Sequence, residues 1–139
     1  MNFVEYYSGG LPPIEWGMRD PEMEVSHNYI QKWFPLMEPS RVLGVPAILQ
    51  EEVLVFRSRP DILDRMKVSL ARMRVFYART SSWKRAHDHN HLRITRILKS
   101  LTLMGLREEA LEFRDWILRQ DPEVSQESLS YWNSATENT

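Results

Sequence analysis

The feature of this chain that most constrains its fold is an apolar stripe with the period of an α-helix, which runs from residue 61 to about residue 78. Apolar side chains recur there at the three- and four-residue spacing that places them on one buried helical face. The same period returns over residues 89–104 and 107–119. No segment alternates apolar and polar residues in the way that predicts a half-buried strand. The sequence therefore predicts an all-α fold.

Start and stop signals elsewhere set the number of helices. The pair Asp20-Pro21 is a typical helix start, and the helix that follows should end before Pro35. Shorter helices are predicted over residues 47–56 and 124–132. Together these segments predict a compact bundle of about five or six helices.

The length of the chain sets the expected domain organisation. Its 139 residues lie within the range of one domain, about 100 to 200 residues, so residues 1–139 are expected to form a single domain. Residues 1–20 contain a Gly-Gly-Leu-Pro-Pro turn and are predicted to be an irregular arm whose aromatic side chains pack on the body. Residues 20–132 should form the helical body, with a loop at 35–46, and residues 133–139 a frayed tail.

Composition restricts the class of protein and its compartment. Hydrophobic residues make up 42% and charged residues 27% of the chain, as in a packed globule. The chain has no cysteine, which excludes disulfides and thiolate metal sites and is typical of the cytosol or nucleus. The first residues lack the pattern of a signal peptide, and no apolar run approaches the roughly 20 residues of a membrane span. We therefore expect an intracellular protein, cytoplasmic or nuclear, with no membrane partner and an oligomeric state that the sequence leaves open.

The net charge of −1 conceals an uneven distribution. Residues 65–99 carry ten basic side chains and one acidic, whereas residues 1–56 and 100–139 each carry three basic and eight acidic. The basic segment could bind an anionic ligand or pair with the acidic segments. Weak nucleic-acid binding through residues 65–99 is kept as a second alternative, because the acidic flanks should repel the same partner.

Histidines alternate in the segment His87-Asp88-His89-Asn90-His91, which is the densest group of metal-ligating side chains in the chain. A zinc or copper site could use these imidazoles, but His89 and His91 would diverge once a helix begins. No carboxylate or fourth histidine is spaced to complete a tetrahedral shell, although folding could bring His27 near. The other interpretation is a helix start capped by Asp88 or Asn90. We expect no bound metal and no cofactor.

The helix predicted over residues 89–104 carries a narrow polar strip between apolar residues. The strip consists of His89, Arg93, Arg96 and Ser100. A helix that is apolar on both sides of such a strip is expected to be central, with the strip facing a cleft.

The remaining candidates for chemistry are histidines and arginines. The chain has no Gly-x-Ser-x-Gly turn, no serine recognisably placed beside a histidine, no phosphate loop and no dinucleotide fingerprint. Acid–base or electrostatic chemistry remains, with His27 and His89 as catalytic proton carriers and Arg93 and Arg96 as an anion clamp. His27 shares a helical sector with apolar residues, which predicts at least half burial and also allows a hydrogen-bonded core histidine.

Two longer motifs give a more specific indication. Residues 27–35, HNYIQKWFP, resemble the H-x-Y-I-Q-W-L-F-P signature of the conserved N-terminal region of the opioid growth factor receptor family, with Lys32 where that family usually has tryptophan. Residues 89–101, HNHLRITRILKSL, resemble its second signature, in the same order along the chain. The resemblance covers roughly residues 15–119.

The resemblance implies an intracellular, nuclear or perinuclear protein, associated in animals with binding an enkephalin-type peptide and restraining growth. We expect a helical ligand-binding or interaction domain in which two His-Asn-bearing helices form a polar cleft for a small molecule or peptide. The alternative is a cofactor-free lyase, isomerase or cyclase acting on a small metabolite. The candidate site residues are the catalytic His27 and His89 and the ligand-binding Asn28, Gln31, Trp33, Asn90, Arg93 and Arg96. All of them match the signatures except Trp33, which lies one place after the position of the family's tryptophan.

Overall fold

The computed structural model describes residues 1–9, 13–39 and 45–137, and within these ranges it contains α-helices and 3₁₀ turns but no strand. The all-α prediction is confirmed. The α-helices are α1 (Phe3–Ser8), α2 (Asp20–Val25), α3 (Tyr29–Trp33), α4 (Gln50–Ser58), α5 (Pro60–Arg79), α6 (His89–Leu103), α7 (Arg107–Arg119) and α8 (Gln126–Ala135), and the 3₁₀ turns are Ile14–Gly17 and Ser82–Lys84.

The strongly periodic segments fold as predicted. Helices α5, α6 and α7 begin and end within about two residues of their predicted bounds, and α4 and α8 are shifted by a few residues. The loop predicted at 35–46 is free of helix over residues 35–39 and 45–46, and its residues 40–44 lie outside the described part of the chain.

The chain divides into two compact units, Met1–Phe76 and Tyr77–Thr139. The first contains α1 to α4 and most of α5, and the second contains the last turn of α5 and α6 to α8. The expected single domain over residues 1–139 stays a prediction.

The N-terminal residues are more ordered than the predicted irregular arm. Asn2 caps α1, because its side-chain oxygen accepts a hydrogen bond from the amide of Glu5 at 3.1 Å. Phe3 and Tyr7, four residues apart, form one buried face of this short helix. The prediction of an irregular arm is therefore wrong for residues 3–8, while the expected packing of its aromatic side chains is correct for Tyr7.

Tyr7 is held in the core of the first unit by a chain of hydrogen bonds. Its hydroxyl donates to the carbonyl oxygen of Trp33 at 2.7 Å and lies 2.9 Å from Oγ of Ser69, which therefore donates to it. The Ser69 oxygen in turn accepts from Nε1 of Trp16 at 2.8 Å. Burial raises the pKa of Tyr7 above its usual range, so the phenol stays protonated and keeps this chain intact.

Glu52 joins α4 to α1. One carboxylate oxygen accepts from the backbone amide of Leu49 at 3.1 Å and so caps the start of α4. The other accepts from the amide of Phe3 at 2.9 Å, one of the amides that the first turn of α1 leaves without a helical acceptor. A single side chain thus satisfies the starts of two helices.

The helix predicted from Asp20 to before Pro35 is broken into α2 and α3. The break falls at residues 26–28, where Ser26 adopts an extended conformation with φ −78° and ψ 142°. Serine and asparagine compete for backbone hydrogen bonds and favour helix ends over helix interiors, which accounts for the break. His27 lies in the bend and is exposed, so the prediction that it is at least half-buried is wrong.

The end of α8 is held by two arginines of α7. Arg107 Nε donates to the carbonyl oxygen of Thr136 at 2.7 Å, and Arg114 Nη1 donates to its hydroxyl at 3.2 Å. Thr136 is buried. The prediction of a frayed tail is therefore wrong for residues 133–136, and residues 138–139 lie outside the described part of the chain.

Gly105 ends α6 as the sequence predicts. It has φ 86°, in the left-handed region, and the amide of Leu106 donates to the carbonyl of Leu101 at 2.8 Å, as in a Schellman motif.

We expect Gly105→Ala to lower the free energy of unfolding by about 1 kcal/mol, because an L side chain is strained at this φ. Urea unfolding followed by circular dichroism measures the loss. Gly17→Ala is the matched control, since a Cβ at Gly17 has nothing within 4 Å. Equal stability of wild type and Gly105→Ala would contradict this conformation at residue 105.

No helix in the described part of the chain is both long enough and apolar enough to cross a bilayer.

Candidate functional site

The histidine-rich segment of the second unit is the start of α6. Asp88 is the N-cap, and its Oδ1 accepts hydrogen bonds at 2.9 Å from both the backbone amide and the side-chain amide of Asn90. This decides between the two predicted caps in favour of Asp88. The three imidazoles line one cleft but differ in burial, since His87 and His89 are exposed and His91 is buried.

His91 connects three elements of the second unit. Its Nε2 lies 2.7 Å from the carbonyl oxygen of Trp83, and its Nδ1 lies 3.0 Å from Oγ of Ser128 in α8. A carbonyl can only accept, so Nε2 carries a proton, and in the neutral imidazole Nδ1 accepts from the serine hydroxyl. Since both nitrogens are used, a metal ion could bind His91 only by displacing one of these partners.

The start of α6 and α8 enclose an open cleft of about 500 Å³. Its walls combine imidazoles, carboxylates, hydroxyls and apolar surface. Its large apolar and aromatic side chains are accessible, with Leu92 72% and Tyr131 52% exposed. The lining residues are His87, Asp88, His89, His91, Leu92, Thr95, Glu127, Ser128 and Tyr131.

The charged groups of the cleft are two carboxylates beside two accessible imidazoles. The His89 ring has its Nδ1 3.7 Å from a carboxylate oxygen of Asp88, while Glu127 is exposed on α8 and His87 is exposed before α6. With neutral imidazoles the carboxylates favour a cationic group, and the imidazoles can donate or accept hydrogen bonds. His89 is also placed to carry a proton, with Asp88 beside it.

The predicted site residues of the second signature all lie on α6, and of these four only His89 lines the cleft. His89 lines the cleft and is exposed, whereas Asn90 is fully buried beneath it. Asn90 Oδ1 accepts from the Tyr77 hydroxyl and from Arg93 Nη1, each at 3.3 Å. Arg93 is buried and Arg96 is half-buried. Asn90 and Arg93 therefore support the cleft wall.

The predicted site residues of the first signature lie in the first unit. His27 and Asn28 are exposed in the bend between α2 and α3. Gln31 is half-buried, and its Oε1 is buried with no hydrogen-bond partner among the described residues. Trp33 is fully buried, with its ring 5.0 Å from that of Tyr29 in an edge-to-face contact. A cleft shared by the two His-Asn segments stays a prediction.

Sequence reasoning missed the α8 wall of the cleft. The sequence predicts only a short helix there, so it gives no reason to select Glu127, Ser128 or Tyr131 as site residues. Ser128 bonds His91 across 37 residues of sequence, so no local motif joins the two.

Comparison with known proteins agrees with the second signature, residues 89–101. The family model of the opioid growth factor receptor (OGFr) conserved region matches residues 69–138, which include α6, α8 and the whole cleft lining. The first signature, residues 27–35, lies outside that match. No solved structure matches the chain.

Several curated proteins match over most of this chain. The opioid growth factor receptor of Homo sapiens is 31% identical over 79% of this chain and 20% of its own length, and that of Rattus norvegicus is 30% identical over 79% and 23%. The opioid growth factor receptor-like protein 1 of Mus musculus is 26% identical over 85% of this chain and 30% of its own length. The chain thus spans less than a third of these relatives. The chain belongs to the family of the opioid growth factor receptor conserved region.

Proposed function

We propose that this chain is a ligand-binding module whose site is the cleft between the start of α6 and α8. The observation that carries the proposal is that the cleft wall combines buried residues bonded to the protein with exposed residues that a ligand can contact. His91 and Asn90 are buried and engaged by protein partners, whereas Leu92, Tyr131, His89 and Glu127 are exposed on its surface. A rigid wall that presents accessible apolar, aromatic and charged groups is typical of a binding site.

The chemistry of the wall favours a ligand with an apolar or aromatic group and a cationic group. Leu92 and Tyr131 would contact the apolar part, and Glu127, four residues before Tyr131 on the same face of α8, would pair with the cation. A short peptide carries both kinds of group. Several relatives are named as receptors for opioid growth factor, which supports a peptide in this role.

The basic segment supports this proposal over nucleic-acid binding. Arg72 donates at 2.8 Å both to the carbonyl of Met18 and to the carboxylate of Asp20, and it is only 16% exposed at its side chain. The Arg65 guanidinium lies over the Trp16 ring, 5.6 Å from its centroid. Part of the positive charge is thus engaged inside the first unit, as the pairing interpretation expects.

We expect Leu92→Ala and Tyr131→Ala each to weaken binding of an enkephalin-type peptide by about tenfold, because each removes an apolar contact of roughly 1.4 kcal/mol. Isothermal titration calorimetry on the full chain measures the affinity. Leu54→Ala is the matched control, because Leu54 is a comparably exposed leucine on α4.

The outcomes distinguish an error in the proposed ligand from an error in the location of the binding site. Unchanged affinity in both cleft variants would show that the peptide binds elsewhere. If the peptide does not bind, a panel of small amines and other peptides can be titrated into the protein and monitored by its amide chemical shifts. Compounds that bind should change the shifts of residues 87–95 and 127–131 first. A panel whose hits perturb other residues, or that yields no hit, would overturn the proposed site.

A further inference from the structure

The hydrogen bond between Ser128 and His91 has the arrangement of an activated nucleophile. The serine oxygen is 3.0 Å from Nδ1 of His91, and the other ring nitrogen donates to the Trp83 carbonyl at 2.7 Å. A serine, a base within hydrogen-bond reach and a third group that orients the base are the components of nucleophilic catalysis. We propose that Ser128 is a nucleophile for acyl transfer and that His91 is its general base.

The surrounding backbone holds these two side chains in register. The amide of Glu123 donates to the carbonyl of Lys84 at 2.7 Å, and the amide of Ser125 donates to the carbonyl of Ala86 at 3.1 Å. These bonds fix the approach to α8 against the segment that leads into α6. The ring of His91 is held further by an edge-to-face contact with Trp132, at 5.5 Å between centroids. The pair is therefore positioned by two fixed walls of the cleft.

A substrate would reach this pair from the cleft. Both residues line it, with Ser128 half-buried and His91 only 5% exposed, so the serine is the more accessible of the two. Ser128 lies in the first turn of α8, where the amides of Gln126 and Glu127 occupy positions at which a helix supplies donors to an anion. An oxyanion that forms beside Ser128 would meet this end of the helix.

The chemical class of substrate is an ester with an apolar acyl or alcohol group, because Leu92 and Tyr131 border the same cleft. The Ser128 oxygen would bond to the carbonyl carbon while its proton passes to Nδ1 of His91. The ester C–O bond then breaks, and the leaving alkoxide takes that proton as an alcohol. Water then attacks the acyl carbon while His91 takes its proton, and the Ser128 oxygen leaves and regains that proton. The acyl group is released as an acid, and no reactant other than water is required.

A fluorophosphonate probe tests the nucleophile directly, since a serine oxygen displaces its fluoride and forms a stable phosphonate ester. We expect labelling of native protein at Ser128, located by mass spectrometry, with loss of labelling in Ser128→Ala and on heat denaturation. Ser130→Ala, at an exposed serine of the same helix, should label as the wild type does. No labelling, or labelling spread over exposed serines, would overturn the proposal.

A cysteine variant tests the role of His91 without any substrate. The chain has no other cysteine, so Ser128→Cys and Ser130→Cys each carry a single thiol. We expect iodoacetamide to alkylate the first about tenfold faster near neutral pH, although it is the less exposed, because an adjacent imidazole promotes the thiolate. If the thiol of Ser128→Cys is alkylated more slowly than that of Ser130→Cys, His91 does not act as a base toward residue 128. Neither readout depends on peptide binding, so this inference and the proposed function can fail separately.

Discussion

Trp132→Ala should lower the free energy of unfolding by about 4 kcal/mol, among the largest effects of a single substitution in this chain. Trp132 is fully buried, and its Nε1 donates at 3.1 Å to the carbonyl oxygen of His91. Truncation would leave a cavity between α6 and α8 and remove one of the hydrogen bonds to the His91 carbonyl, which also accepts from the Thr95 hydroxyl at 3.0 Å. Because α8 forms one wall of the cleft, ligand binding should be lost together with stability.

The neighbouring residue provides the control for this experiment. Tyr131 is half-exposed on the same helix, so Tyr131→Ala should change stability by no more than about 0.5 kcal/mol while it still weakens binding. Urea unfolding monitored by circular dichroism measures both variants. A loss below about 1 kcal/mol for Trp132→Ala would mean that α8 is not packed on α6 in solution.

Helices that carry both a long apolar period and a specific end signal could be predicted from the sequence. For α6, Asp88 supplies the capping carboxylate and Gly105 the left-handed residue, so local chemistry marks both ends. The long stripe of α5 is equally informative, because a 20-residue helix repeats its buried face five times. Local signals and tertiary packing agree in these segments.

Short elements could not be predicted, because tertiary contacts decide them. The six residues of α1 are too few to form a helix alone, and their order depends on Glu52, which lies 49 residues away from Phe3. The tail around Thr136 depends in the same way on Arg107 and Arg114. Apolar residues at helical spacing lie on both sides of residues 26–28, so periodicity predicted one continuous helix. The preference of serine and asparagine for helix ends prevailed there.

Only one of the two walls of the candidate site, the start of α6, could be predicted from the sequence. The histidine cluster marked one wall of the cleft, because its residue types and its helix start are local features of the sequence. The α8 wall could not be predicted, since the contact between His91 and Ser128 is known only once α8 has packed on α6. The histidine cluster therefore indicated one polar wall of the cleft, and only the folded structure shows which α8 residues lie opposite it.

The second large effect is expected for Asn90→Ala, which should lower the free energy of unfolding by about 3 kcal/mol. The side chain of Asn90 is fully buried and is bonded to Asp88, Tyr77 and Arg93. Removing the amide would leave the Tyr77 hydroxyl and a buried guanidinium without this acceptor, and a buried polar group that loses its partner costs about 1–3 kcal/mol. Asn133→Ala, at an exposed asparagine of α8, should be near neutral and serves as the control.

A double variant then distinguishes a supporting role for Asn90 from direct ligand contact. The Tyr77→Phe variant lacks the hydroxyl that donates to Asn90. In that background Asn90→Ala should therefore lower the free energy of unfolding by about 1 kcal/mol less than it does in the wild type. Urea unfolding of the four proteins gives this coupling. If Asn90 instead contacts the ligand, Asn90→Ala should keep most of its stability and lose binding, with no coupling to Tyr77. The network of contacts to Asp88, Tyr77 and Arg93 predicts the first result, in which Asn90 acts on the ligand only through the shape of the cleft wall.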